Sequence, residues 1–174
     1  MPFLPGRHEL GPAAGTLLVK TFREGVAAKV GHDLVIEVTR WDAVVDGGLV
    51  TLTADPTSLE VREGHNGLKP LTDKDRREIR KNIDEKVLGG RSIAFVCSAI
   101  SDDASGVAAP GELSIGGITQ PVSATLERTP GGRLQGAIPL RQADFGIKPY
   151  KGLMGALKVR DDVEIVIDVA VPIG

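Results

Sequence analysis

The run VEIVIDVAV, Val163 to Val171, constrains the fold more than any other part of the chain. Val163, Ile165, Ile167, Val169 and Val171 alternate with Glu164, Val166, Asp168 and Ala170. Successive side chains of an extended strand point to opposite faces, so a period of two means a strand with one covered face. The same period recurs along the chain. Leu34, Ile36 and Val38 oppose Glu37 and Thr39, and Leu52 alternates with Thr51 and Thr53. Phe95 shares a face with Ile93 and Cys97, as do Val122, Ala124 and Leu126 with one another. Asp46-Gly47-Gly48, Gly116-Gly117, Pro130-Gly131-Gly132 and Asp161-Asp162 punctuate these runs as turns. Many short strands with hairpin spacing predict an antiparallel sandwich or barrel.

One segment breaks the period. In Thr72–Leu88, Ile79, Ile83 and Val87 recur every four residues with Leu88 beside them. Thr72 is a good N-cap, Asp73 and Asp75 suit the positive end of a helix, and Gly89-Gly90 stops it. The spacing predicts one charged helix with a narrow apolar stripe, laid over one end of the barrel.

Composition excludes several functions. A hydrophobic share of 41% supports a real core, and 174 residues suit one domain. The formal charge of -2 and the 3% aromatic content argue against nucleic acid as a partner. Cys97 is the only cysteine, so no disulfide or cysteine cluster forms within the chain. The N-terminal residues do not read as a signal peptide, and no apolar run is long enough to span a membrane. The expectation is a cytoplasmic domain over 15–174 behind a flexible segment 1–14, with no stable membrane insertion.

Chemistry has few candidates. His32 and Asp33 are adjacent, and on a strand their side chains would point apart. In a turn after Gly31, Asp33 would accept backbone N–H bonds and His32 would bond a carbonyl. G-x-S-x-G, C-x-x-C and H-E-x-x-H are all missing from the sequence. His8, His32 and His65 lack ligand spacing, so no metal, cofactor or catalytic residue is assigned. What remains is the barrel interior, either filled or left as an elongated apolar cavity. From the alternation, its candidate lining is Leu34, Ile36, Val38, Leu52, Phe95, Val122, Ala124, Leu126, Ile138, Leu140, Ile165, Ile167 and Val169. A register slip of one would turn any strand's set outward.

GELSIGGITQPVSATLE, Gly111 to Glu127, resembles the G-x-L-T-I-x-G-x-T-x-P-V signature of YceI-like proteins, bacterial lipocalin-like barrels associated with polyisoprenoids. ADFGIKPYKGLMGALKVRDDVEIVIDVAV, from Ala143, is similar to that family's R-x-D-F-G-I segment and last strands, and the stretch around His32 to its V-x-H start. The resemblance implies a mainly β fold: an extended eight-stranded antiparallel lipocalin-like barrel with one inserted helix, about 72–88. It implies a non-enzymatic function: binding, sequestration or transport of a polyprenyl lipid or isoprenoid quinone. His32 would then sit at the mouth, capping a strand or touching a ligand headgroup. The segment 73–95 departs from the family's R-D-x-H-L-R-S-x-D-F-F pattern, lacking its histidine and Phe pair; if that segment closes the pocket in relatives, closure here must differ. Two rival readings stand beside this one: a hydrolase-like enzyme using His32 with Asp33, Lys148 or Tyr150, and a protein-interaction module with a filled barrel. An open sheet edge would suit a homodimer.

Overall fold

The structure, a computed structural model, describes residues 6–171. The chain starts with β1 (Arg7–Leu10) and β2 (Gly15–Thr21), then a short β3 (Arg23–Glu24). β4 (Asp33–Val38), β5 (Trp41–Asp46), β6 (Leu49–Ala54) and β7 (Leu59–His65) follow. The helix α1 (Asp73–Asn82) leads to β8 (Ile93–Cys97), β9 (Ser101–Asp102), β10 (Gly106–Ile115), β11 (Ile118–Arg128) and β12 (Arg133–Arg141). Two short strands, β13 (Lys151–Gly152) and β14 (Leu157–Val159), precede β15 (Asp162–Ala170).

One 12-stranded antiparallel sheet carries the fold, in the order β1-β5-β6-β8-β10-β11-β12-β15-β2-β4-β7 with β9 on β10. Its two ends are parts of the same bent strands. β1 runs into β2 around Gly11, β4 into β5 at Thr39-Arg40, and β6 into β7 across Asp55–Ser58. β1 pairs β5 while β2 pairs β4, and β5 pairs β6 while β4 pairs β7. Joining β1+β2, β4+β5, β6+β7 and β8+β9 leaves the expected eight strands, closed where β15 pairs β2. Within this sheet the strand count therefore differs from the expectation only because bends divide long strands; β3, β13 and β14 form a separate three-stranded sheet in the order β13-β14-β3. Arg7–Leu10, expected in a flexible segment, is the first half of such a strand, in register with Ala43–Asp46.

The bends have local causes. At the β4/β5 corner, Thr39 N–H donates to Ser58 O (2.9 Å) and Asp55 N–H to Arg40 O (3.0 Å). The wholly buried Ser58 hydroxyl donates to Asp55 O (2.8 Å) and accepts from Arg40 N–H (3.1 Å). The hydroxyl and N–H of Thr57, with the Arg40 guanidinium, hold the Asp55 carboxyl down to about 2. At the β5/β6 turn both central residues have positive φ, Gly47 at 57° and Gly48 at 93°, the geometry that matches strand twist and that glycine alone takes freely.

The helix forms as the sequence predicts. The Thr72 hydroxyl accepts from Asp75 N–H (3.1 Å), while the Asp75 carboxylate accepts from Thr72 N–H (3.0 Å). After Asn82 the coil widens into a π turn, Ile83–Leu88, ended by Gly89 at φ 57°. The wider turn puts Ile83 and Leu88, both buried, on one face. Arg80 pairs with Glu60 and donates to Thr57 O (2.9 Å), fixing α1 along the flank of β7 that no strand covers. Apolar inner faces of the strands and the stripe of α1 then enclose the core.

Candidate functional site: an apolar cavity with a polar mouth

The core encloses a cavity of about 880 Å³. That is toward the upper end of ordinary small-molecule sites, which span about 300–1,000 Å³. Each strand contributes its inner face, as the period of two requires. Every lining residue expected from the sequence reaches the wall: Leu34, Ile36 and Val38; Leu52; Phe95; Val122, Ala124 and Leu126; Ile138 and Leu140; Ile165, Ile167 and Val169. None of these strands is inverted. Ile79, Ile83, Val87 and Leu88 of the helical segment also line it, so the helix closes a side of the cavity. Sequence reasoning missed Leu17, Val19, Trp41, Ala43, Val45, Leu113, Ile115, Phe145 and Ile147. The alternation of Trp41, Ala43 and Val45 was a visible signal; Phe145 and Ile147 sit in an irregular segment where period two says nothing.

The two ends differ. At one end lie the turns at Gly47, Ser98–Ser105 and Thr129–Gly132, and there Cys97 (0% exposed) and Leu134 (2%) are packed tightly. Asp102 and Arg128 form an ion pair there at 2.6 Å, both side chains largely buried. At the other end are the segments Gly25–His32, Asn66–Thr72 and Gly146–Arg160. Thr21, Arg23, His32, Lys69, Asp75, Arg141, Gln142, Tyr150 and Lys158 line the cavity there, whereas its body is apolar apart from Thr16 and the helix residues Glu78 and Asn82. This end is the mouth.

His32 and Asp33 answer to the turn reading. A short helical turn, Ala28–Val30, brings the chain to Gly31, and β4 begins at Asp33. Asp33 accepts from Arg23 N–H (2.9 Å) and from the Asn66 side chain (2.7 Å). Burial alone would raise its pKa, but the Arg23 N–H, Asn66 and the Arg23 charge outweigh it and hold the carboxyl below its ordinary value. His32 Nε2 lies 2.5 Å from Lys69 O, which makes that nitrogen the N–H donor. The ring lies over Gly67, where any Cβ would collide with it. The pair therefore pins the 66–72 loop across the mouth, with the other edge of the His32 ring on the cavity. Of the residues named for the enzymatic alternative, Tyr150 lines the mouth and Lys148 is exposed outside it. Lys86 sits over the Tyr150 ring at 5.8 Å.

A closed antiparallel barrel around an apolar cavity, with one helix in its wall, defines a lipocalin-like binding protein. A model of the YceI-like domain matches residues 25–171, and the chain belongs to the YceI-like family. The crystal structure of BcnA from Burkholderia cenocepacia is similar, with a TM-score of 0.56 at 15% identity, over 88% of this chain and 94% of that one. At that identity the likeness is one of fold. No curated protein matches the chain in sequence. Family and cavity together support a lipid-binding kind of function. Among the described residues, no helix is long and apolar enough to cross a membrane.

Proposed function

We propose that the protein binds and carries an isoprenoid-type lipid, a polyprenyl chain or isoprenoid quinone, by burying its tail in the barrel. The observation that carries this reading is the division of the cavity of about 880 Å³ into a largely apolar body and a polar mouth. At a share of about 30 Å³ per water-sized group, the space holds a chain of about thirty heavy atoms. Each buried methylene contributes about 0.8 kcal/mol, so ten of them supply about 8 kcal/mol against the costs of association. Small aliphatic walls suit a branched, flexible chain better than a flat ring system. The polar end of the ligand would meet His32, Gln142 and Tyr150. Binding rather than catalysis is supported by the engagement of the His32 Nε2 with a backbone carbonyl.

The only tryptophan, Trp41, lines the cavity, so its emission reports occupancy. Titration with a solubilised isoprenoid quinone should quench it saturably, and native mass spectrometry should show one added ligand. Ala124→Trp with Ile167→Trp should fill the cavity and abolish the added mass. Binding that survives in this variant, with its circular dichroism unchanged, would sink the cavity assignment.

A further inference from the structure

We infer that the rim of the mouth is a docking surface for an anionic lipid bilayer. Three rim segments, far apart in sequence, are joined by backbone hydrogen bonds. Ala27 N–H donates to Ala156 O (2.9 Å), and Leu68 N–H donates to Lys29 O (3.2 Å). Leu157 packs beneath Gly31, and Lys69 is held by His32. On this shared edge stand Val26 (95% exposed), Leu68 (70%), Val30 (50%) and Met154, whose side chain is fully in solvent. A scatter of single exposed apolar residues would need no explanation; these converge on one rim around an opening. Met154 is presented there from a left-handed backbone (φ 56°), a conformation that methionine rarely takes.

The charges of the rim select the partner. Gly25–His32, Asn66–Thr72 and Gly146–Arg160 contain Lys29, Lys69, Lys148, Lys151, Lys158 and Arg160, and no carboxylate. The whole chain has a formal charge of -2, so this edge is cationic against an acidic background. Lys29, Lys69, Lys148 and Lys151 are exposed, and none is in an ion pair among the described residues. Of the bordering acids, Asp33 is engaged by Arg23 and Asn66, Asp75 by the helix N-terminus and Asp161 by Arg141, while Glu24 and Asp73 stand exposed; Lys29, Lys69, Lys148 and Lys151 outnumber these two. Aliphatic tips among lysines match an interface whose surface is anionic and whose interior, just below, is apolar. An acidic protein partner would satisfy the lysines and leave four aliphatic tips at its rim. Docking in this orientation would set the cavity mouth against the bilayer, so its use for loading rests on the proposed function, while the docking itself does not.

The test is flotation of the full chain with vesicles of phosphatidylcholine alone, and with a third of that lipid replaced by phosphatidylglycerol. The expected result is binding to the anionic vesicles at least about tenfold tighter than to the neutral ones, and weakened by salt. Lys148→Glu with Lys151→Glu should reduce it at least about tenfold. Leu68→Asp with Met154→Asp should reduce it comparably, at unchanged melting temperature. Arg7→Glu with Lys81→Glu makes the same change in net charge off the rim and should leave docking unchanged. No binding to either vesicle, equal binding to both, or equal loss in the off-rim variant would each overturn the inference. The cavity-filling Ala124→Trp with Ile167→Trp variant should dock normally. Loss of ligand binding with docking intact would therefore count against the carrier reading alone, and failed docking with ligand binding intact against the rim alone.

Discussion

At one end of the barrel a buried ion pair holds the fold together; at the other, four lysines stand exposed. The closed end packs Cys97 and Leu134 out of solvent and ties β9 to β11 through Asp102 and Arg128 at 2.6 Å. Next to it, Arg133 and Gln135 both bond to the Asp168 carboxylate, at 2.6 and 3.0 Å, which staples β12 to β15. The mouth instead exposes Val26, Leu68 and Met154, and among the described residues its lysines are in no ion pair. A binding protein needs both. Closing one end gives the barrel enough stability to leave the other loosely packed, and the loosely packed end is where a ligand can enter.

The comparison breaks first at the closed end. Leu134→Ala should destabilise the protein by about 3 kcal/mol in urea unfolding, because its side chain, although it borders the cavity, is 2% exposed and loses contacts on its packed sides. Leu34→Ala, whose side chain borders the same cavity at the mouth and is only half-buried, should cost about 1 kcal/mol or less. Equal costs would show that the two ends are packed alike. Asp102→Ala should come next, at about 2 to 3 kcal/mol, because it leaves Arg128 buried without its partner. His32→Ala should cost about 1 kcal/mol in stability and speed ligand exchange, because it frees the 66–72 loop from its carbonyl anchor.

Smaller effects sharpen the contrast. Met154→Gly should raise stability by a few tenths of a kcal/mol to about 1 kcal/mol, since glycine accepts the positive φ, while weakening attachment to anionic vesicles. At the β4/β5 corner, Asp55 sits at about 2 in place of 3.8. A carboxylate with a lowered folded pKa contributes stability that is complete above its unfolded value and is lost as pH falls through the folded one. That contribution should be whole above pH 3.8 and fade toward pH 2, and Asp55→Asn should flatten the acid limb of the stability curve in that window. Asp33, also lowered, should lose its hold on Arg23 and Asn66 as pH falls below the ordinary carboxylate range, and hydrogen exchange at Arg23 N–H would report it.

Much of this was legible in the chain because it is local. Alternation tells which face of a strand is apolar without knowledge of its neighbours, so Val122, Ala124 and Leu126 could be assigned inward from β11 alone. The cap at Thr72 and the stripe Ile79, Ile83, Val87 and Leu88 follow equally from spacing within one helix. Trp41, Ala43 and Val45 alternate as clearly as the residues of β4 and face the same cavity. Residues 142–147 were beyond such reasoning, because a turn has no period to read.

By itself, the sequence determined an antiparallel β fold, its inward faces, one capped helix and an interior of aliphatic side chains. Each of these depends on contacts within a few residues along the chain. Only the tertiary structure decided which end is sealed, that bent strands close into one barrel, and that the helix takes the unpaired flank of β7. It also decided the company of Val26, Leu68 and Met154. They come from loops separated by whole strands, and a loop goes where its strands' register and twist carry it. No local pattern encodes that meeting, so the rim becomes visible only when the barrel is closed.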